Sequence, residues 1–310
     1  MRKLLHSIES RLVVWVVVVA ASGLVWPVLG AWLASSISVL LALLMLVISL
    51  TFDARAVQFV LKNPSKQVLA LFLVYVPMTL LGWLTGRWFF GQGALADGQT
   101  LLGMLPTDVS APLLVLMAKG NVALAAVLNA VNTALAPFII PFLFLAMTGV
   151  ELDVPLWTIV AELIAIVLLP TLLGVWLRTR FTAAVARYDS VYAGAGSLLY
   201  LLILLAVIAP NAHTIVGYGW YAWVIAAAAL CLNMAGYAVG LCAKLWIADR
   251  KDMIAYLFTV SKKEFSIAAA FVAASGLPAE VAIPAVFFAI VQMLTSPLVA
   301  RLLTRHAARA

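Results

Sequence analysis

Two stretches of this 310-residue chain carry ionisable and hydroxyl side chains between long apolar runs. One is Pro106-Thr107-Asp108-Val109-Ser110-Ala111-Pro112. The other is Ser261-Lys262-Lys263-Glu264-Phe265-Ser266. Two carboxylates and two ammonium groups can bind a charged solute or pass a proton. His6, His213 and His306 lie at termini or in a loop, and there is no nucleophile motif, Gly-rich phosphate loop or metal-ligand spacing. The expectation is therefore no cofactor, no metal and no enzyme. Asn129, Asn132, Thr133 and Gln292 add amides and a hydroxyl within apolar runs. Such residues are also common interhelical hydrogen-bond partners. The candidate binding set is thus Thr107, Asp108, Ser110, Pro112, Asn129, Asn132, Thr133, Lys262, Lys263, Glu264, Ser266 and Gln292.

The elements that must position these residues follow from composition. The chain is 66% apolar and 10% charged, whereas a soluble domain has about 45–50% and about 25%. The excess must face lipid. Apolar runs of about 20 residues, enough to cross the hydrocarbon core, fall at 12–33, 35–52, 67–90, 99–118, 121–147, 155–177, 190–209, 218–247, 252–274 and 279–303. The first run follows Arg2, Lys3 and Arg11 but is too long for a signal peptide. With the N-terminus cytoplasmic, 16 of the 19 Lys and Arg fall on the cytoplasmic side; Arg87 lies opposite, and Lys262 and Lys263 lie inside a span. That asymmetry argues for ten spans with both termini cytoplasmic, in the cell's inner (plasma) membrane. It also reads the net charge of +7 as topology rather than nucleic-acid binding. Cys231 and Cys242 match no redox or metal spacing and are expected to be packing residues.

Shifting the sequence by 156 places Ser110 on Ser266, Gly120 on Gly276, Ala123 on Ala279, Pro141 on Pro297 and Asp108 on Glu264. Residues 1–150 and 151–310 then form two five-span halves. An odd number of spans per half makes them inverted repeats, as in many secondary transporters. A charge near the bilayer centre costs about 2.5–3.5 kcal/mol, so four facing lipid would cost on the order of 10 kcal/mol. They must face protein or a watery cavity. Pro106 and Pro112 deny helix hydrogen bonds beside Asp108, and broken helices at mid-membrane line cavities or are buried in protein. Two plainer arrangements remain open: a structural ion-pair cluster, or a ninth span set so that Lys262 and Lys263 reach the surface. On a regular helix the two lysines point about 100° apart, so both face one cavity only where the backbone is unwound. Which of them does so is open.

The runs LTFDARAVQFVLKNPSKQVLALFLVYVPMTLL (50–81), LMAKGNVALAAVLNAVNTALAPFIIPFLFLAMTG (116–149) and DRKDMIAYLFTVSKKEFSIAAAFVAASGLP (249–278) resemble the bile acid:sodium symporter (BASS) family. The AKGNVAL run with Pro137 and Pro141 is the most specific part. The resemblance implies an all-α membrane fold of ten helices in two inverted repeats. A core domain would hold the broken, crossing fourth and ninth helices, and a panel domain the first, second, sixth and seventh. It also implies transport of a small organic anion; family cargo includes bile acids, keto acids and sulfonated compounds. The family's sodium sites use a Ser-Asn pair in the fourth helix, hydroxyls in the fifth, and Glu followed by Gln-Asn-Ser in the ninth. Here Ala111-Pro112 replaces the pair, and Ala125 and Asn129 take the fifth-helix positions. Val260 replaces the Glu, and Glu264-Phe265-Ser266 the following triplet, so only Ser266 is unchanged. Gln292-Met293 stands where some members carry His-Asn. The expected coupling is therefore through protons rather than sodium, or none, with a fixed Lys ammonium in place of the sodium ion. An inactive member would drift more cheaply toward apolar residues than toward buried charges. The alternatives are a metalloid-anion exporter, whose related family places a Cys in the fourth helix, and a non-transporting receptor or scaffold. The partners expected are the organic anion, protons and the lipid bilayer, with no nucleic acid; no oligomeric state is implied.

Overall fold

The computed structural model describes residues 12–51, 64–150 and 154–307. Arg2, Lys3, Arg11, Arg55, Lys62 and Arg309, counted above for topology, lie outside these residues. The described chain is all-helical: α1 (Leu12–Val25), α2 (Val28–Ala31), α3 (Ile37–Ser49), α4 (Pro64–Tyr75), α5 (Pro77–Phe90), α6 (Ala94–Met104), α7 (Ala111–Met117), α8 (Val122–Thr148), α9 (Leu156–Leu163), α10 (Leu169–Arg180), α11 (Thr182–Ala186), α12 (Asp189–Ile208), α13 (Ala212–Gly217), α14 (Tyr221–Leu241), α15 (Arg250–Ser261), α16 (Phe265–Ser275) and α17 (Ile283–Ala307). Among the described residues, five continuous or kinked stretches are long and apolar enough to cross a membrane: Pro64–Phe90, Val122–Thr148, Leu156–Arg180, Tyr221–Leu245 and Ala279–Thr304. Val14–Val25, Ala34–Ser49 and Gly194–Ile208 are shorter apolar helices. Trp26, Trp32, Trp88, Trp157, Trp220 and Trp223 are exposed near helix ends, as amphipathic rings are at a membrane–water interface. Cys231 and Cys242 are exposed rather than packed inside.

Proline sets most of the departures from the straight helices that the apolar runs predict. Pro27 separates α1 from α2 within the first run, and Pro77 separates α4 from α5, because proline lacks the N–H that would continue the ladder. Just before Pro170, Ile164–Leu168 widens into a π turn. The polar stretches coincide with the deepest interruptions. Residues 105–110 are non-helical between α6 and α7, and residues 262–264 between α15 and α16.

Two bundles meet around these interruptions. In one, α3 packs on α10 and α12, and α12 on α1; Arg178 also pairs with Asp189 at 2.5 Å across the α10–α12 turn. In the other, α5 packs on α6, α14 on α15, and α8 and α17 on the interrupted helices. Lys66 of α4 meets Asp252 of α15 at 2.5 Å, and the Asn121 amide donates to the same carboxylate at 2.7 Å, tying α4, α8 and α15 at one end. Asp249 caps α15: the backbone N–H groups of Asp252 and Lys251 donate to it and hold its carboxyl below the usual carboxylate range.

Glycines set two close helix–helix contacts. A Cβ on Gly82 or Gly86 of α5 would lie 2.8 Å from Gly103 Cα or 2.6 Å from the Ala96 carbonyl of α6; on Gly236 or Gly240 of α14 it would lie 2.8 Å from Ser261 Cα or 2.7 Å from Leu257 Cα of α15. Small residues let backbones approach this closely in membranes. Gly240→Leu should therefore destabilise the protein by about 1–3 kcal/mol, read as a lower Tm in detergent. Gly217→Ala, with open space around it, should leave Tm unchanged.

Candidate functional site

The two interruptions touch each other. The Asp108 N–H donates to the Lys262 carbonyl at 3.3 Å, and the Glu264 N–H donates to the Pro106 carbonyl at 3.0 Å. Lys262 and Glu264 have extended backbones, with φ −99°, ψ 131° and φ −83°, ψ 90°. An extended strand facing another restores the hydrogen bonds that unwinding removes, which is how irregular backbone survives away from water.

Each interruption sets a carboxylate beside the start of a half-helix. Asp108 precedes α7 and accepts from the Ser110 N–H at 2.8 Å and from the Ser110 hydroxyl. Glu264 precedes α16 and accepts from the Ser266 hydroxyl at 2.5 Å and from the Val109 N–H at 3.2 Å. Acids are favoured there because the first N–H groups of a helix have no internal partner. Asp108, Lys262, Lys263 and Glu264 are all 0% exposed, so neither lysine reaches the surface.

The lysines diverge because the backbone is extended. Lys262 Nζ lies 3.5 Å from Asp108 Oδ1, an ion pair between two fully buried groups, and makes no protein hydrogen bond. Lys263 Nζ turns away and donates to three main-chain carbonyls: Leu105 at 2.8 Å, Gly103 at 3.0 Å and Val74 at 3.2 Å.

The remaining expected residues hold this arrangement. Gln292 of α17 accepts from the Lys263 N–H and donates to the Lys263 carbonyl, both at 2.9 Å, and donates to Asp108 Oδ2 at 3.3 Å. Asn129 donates to the Asp108 carbonyl at 3.3 Å and accepts from Thr133 at 3.1 Å. Asn132 donates to Thr107, whose hydroxyl donates to the Thr259 carbonyl. Pro112 lies in the first turn of α7 and is half-buried; its part is to start the half-helix. Ala125 and Val260 are buried and apolar. Thr295 and Ser296 belong to a neighbouring network with Asn233 and Tyr237 of α14.

Tyr200 was not among the expected residues. It comes from α12, in the opposite bundle, and is 3% exposed. Its ring packs edge-on to Phe265, next in chain to Glu264, at 4.8 Å, and its buried hydroxyl makes no protein hydrogen bond. A hydroxylated aromatic inside an apolar span was its sequence signal. Tyr75 and Asn233 were also missed; their side chains hold the Asn132 and Ser261 carbonyls. Lys262 Nζ, Tyr200 Oη and Asn132 Oδ1 are thus buried polar atoms without a protein hydrogen bond. Such groups are costly unless water or a ligand meets them.

A multi-helix apolar fold with a buried charged centre at paired helix interruptions has the architecture of a membrane transporter. Sequence comparison agrees: the chain belongs to the SBF-like CPA transporter family, bile acid:sodium symporter-like proteins whose pattern it matches over residues 10–305. It is 28% identical to the uncharacterized protein YbaS of Bacillus subtilis (strain 168), over 83% of this chain and 85% of YbaS. It is 25% identical to the uncharacterized sodium-dependent transporter YocS of the same organism, over 96% of this chain and 92% of YocS. It is also 25% identical to the probable chloroplastic sodium/metabolite cotransporter BASS2 of Oryza sativa subsp. japonica, over 77% of this chain and 56% of that protein.

Proposed function

We propose that this protein carries a small organic anion across the cell's inner (plasma) membrane by alternating access, with the charged centre taking the part that sodium ligands play in its relatives. The observation that carries this reading is the Asp108–Lys262 pair, fully buried where two helix interruptions meet. Two charges held in the membrane interior are expensive and mark solute or ion pathways. The names of YocS and BASS2 state sodium dependence or sodium cotransport for those proteins. Lys262, with spare N–H donors, is the group to meet the anionic end of the cargo, and Tyr200 of the other bundle packs on Phe265 beside the centre. A proton can enter or leave the Asp108–Lys262–Glu264 cluster as access alternates, so the cycle is proton-linked or a uniport.

The architecture proposed with it is ten spans in two inverted halves, 1–150 and 151–310, with both termini cytoplasmic. Five long spans, three shorter apolar helices and the two interrupted helices α6–α7 and α15–α16, taken together among the described residues, support that number. Polar contacts related by 156 residues support the repeat. Asp108 N–H to Lys262 corresponds to Glu264 N–H to Pro106, and Ser110 to Asp108 corresponds to Ser266 to Glu264. The bundle of α1, α3, α10 and α12 is then the panel, and the bundle around the interruptions the core.

A thermal-shift screen of purified protein against bile acids, keto acids and sulfonates, with and without sodium, identifies the cargo class. Uptake of the responding compound into proteoliposomes is then compared in sodium and choline buffers, and from about pH 5.5 to about pH 8. Equal rates in sodium and choline are expected; a strict sodium requirement would overturn the coupling proposed. No stabilising anion and no uptake would leave a receptor or scaffold.

A further inference from the structure

We propose that the Val74, Gly103 and Leu105 carbonyls form a monovalent-cation site, permanently filled by the Lys263 ammonium of the chain itself. This deepens the sodium-independent reading above, on which its meaning for transport rests, but the site can be tested without any cargo.

The three oxygens come from places where main-chain acceptors are in excess. Gly103 and Leu105 lie at the end of α6, where the last carbonyls of a helix have no partner further along and carry the negative end of its dipole. Leu105 is already extended, at φ −63° and ψ 147°, so the helix cannot continue over them. Val74 lies in the last turn of α4, at its junction with α5, where a helix's final carbonyls lack partners further along. An ammonium has three donors and no acceptor, and all three are used here, at 2.8, 3.0 and 3.2 Å.

Among the described residues, no carboxylate lies within ion-pair distance of Lys263; the salt bridge at the centre belongs to Lys262. What neutralises Lys263 is a ring of carbonyl dipoles, the kind of ligand set that replaces the hydration shell of a small monovalent ion in a selectivity filter. Its backbone is fixed too, with N–H and carbonyl both held by Gln292. The neighbouring lysines therefore do different work. Lys263 is a tethered cation that cannot leave during the cycle, and Lys262 is the charge facing Asp108.

The test is to remove the tether and leave the carbonyls. Lys263→Ala opens the space, while Lys263→Met fills it with an apolar chain of similar length. Each variant and the wild type are purified in detergent, and Tm is measured in sodium chloride, methylammonium chloride and choline chloride at equal ionic strength. Lys263→Ala is expected to unfold at lower temperature than the wild type in choline and to regain about 3 °C or more in sodium or methylammonium. Wild type and Lys263→Met should have the same Tm in all three salts. A Lys263→Ala Tm that ignores the salt, or a Lys263→Met Tm that follows it equally, overturns the proposal. If Lys263→Ala does not accumulate, Lys263→Ser is measured the same way. Failure of both to accumulate, even with sodium and methylammonium present throughout purification, also overturns it. Uptake by the wild type in sodium and choline bears on the transport reading alone, so the two can fail separately.

Discussion

Asp108→Asn is expected to cut transport at least tenfold per folded molecule, and pairing it with Lys262→Met should restore stability without restoring transport. Asn keeps an oxygen for the Ser110 N–H and hydroxyl but loses the charge that faces Lys262 at 3.5 Å. Removing one member of a buried ion pair costs about 3–5 kcal/mol, because the other charge is left uncompensated, whereas replacing both can be nearly neutral. Each single variant should therefore unfold at lower temperature than the wild type, and the double variant should recover most of the difference. A coupling of about 2 kcal/mol or more in the double-mutant cycle is the stability readout. Transport separates the two meanings of the pair. A purely structural pair predicts that the double variant carries solute as well as the wild type. A pair that handles solute or proton predicts a folded, inactive double variant. Stability is measured by thermal unfolding in detergent and transport by uptake into proteoliposomes at equal protein content.

Gln292→Leu should be among the most destabilising single substitutions in the protein. One amide satisfies both main-chain groups of Lys263 and touches Asp108, and its side chain is fully buried. Leucine offers neither donor nor acceptor, so the buried N–H and carbonyl lose their partners at about 1–3 kcal/mol each. A fall in Tm of roughly 2–4 °C per kcal/mol follows for a chain of this class of size. Leu294→Ala, two residues away and 49% exposed, is the matched control and should change Tm little. An unchanged Tm in Gln292→Leu would mean that the interruption at 262–264 is not held by this side chain.

Much of the centre is legible in the sequence. Charges in an apolar chain must be buried together, and prolines at 106 and 112 must interrupt a helix, so Asp108, Lys262, Lys263 and Glu264 could be grouped by cost alone. The offset of 156 residues paired Asp108 with Glu264 and Ser110 with Ser266, and the structure gives the two pairs the same local hydrogen bond. Tyr200 was not legible, because a tyrosine in an apolar helix carries no sign of which neighbour it will meet. Lys263 could not be told from Lys262, since adjacent residues share composition, charge and cost.

Membrane embedding, the helical class and the location of the interruptions were determined by the sequence alone, because they depend on how many apolar residues run together and where a charge or proline breaks the run. Only the tertiary structure decided which partner each polar group has. An extended segment at 262–264 throws neighbouring side chains apart, and the packing of α4 and α6 then decides that Lys263 meets three carbonyls while Lys262 meets a carboxylate. Partner choice there rests on contacts between residues up to 189 positions apart, which no local pattern encodes.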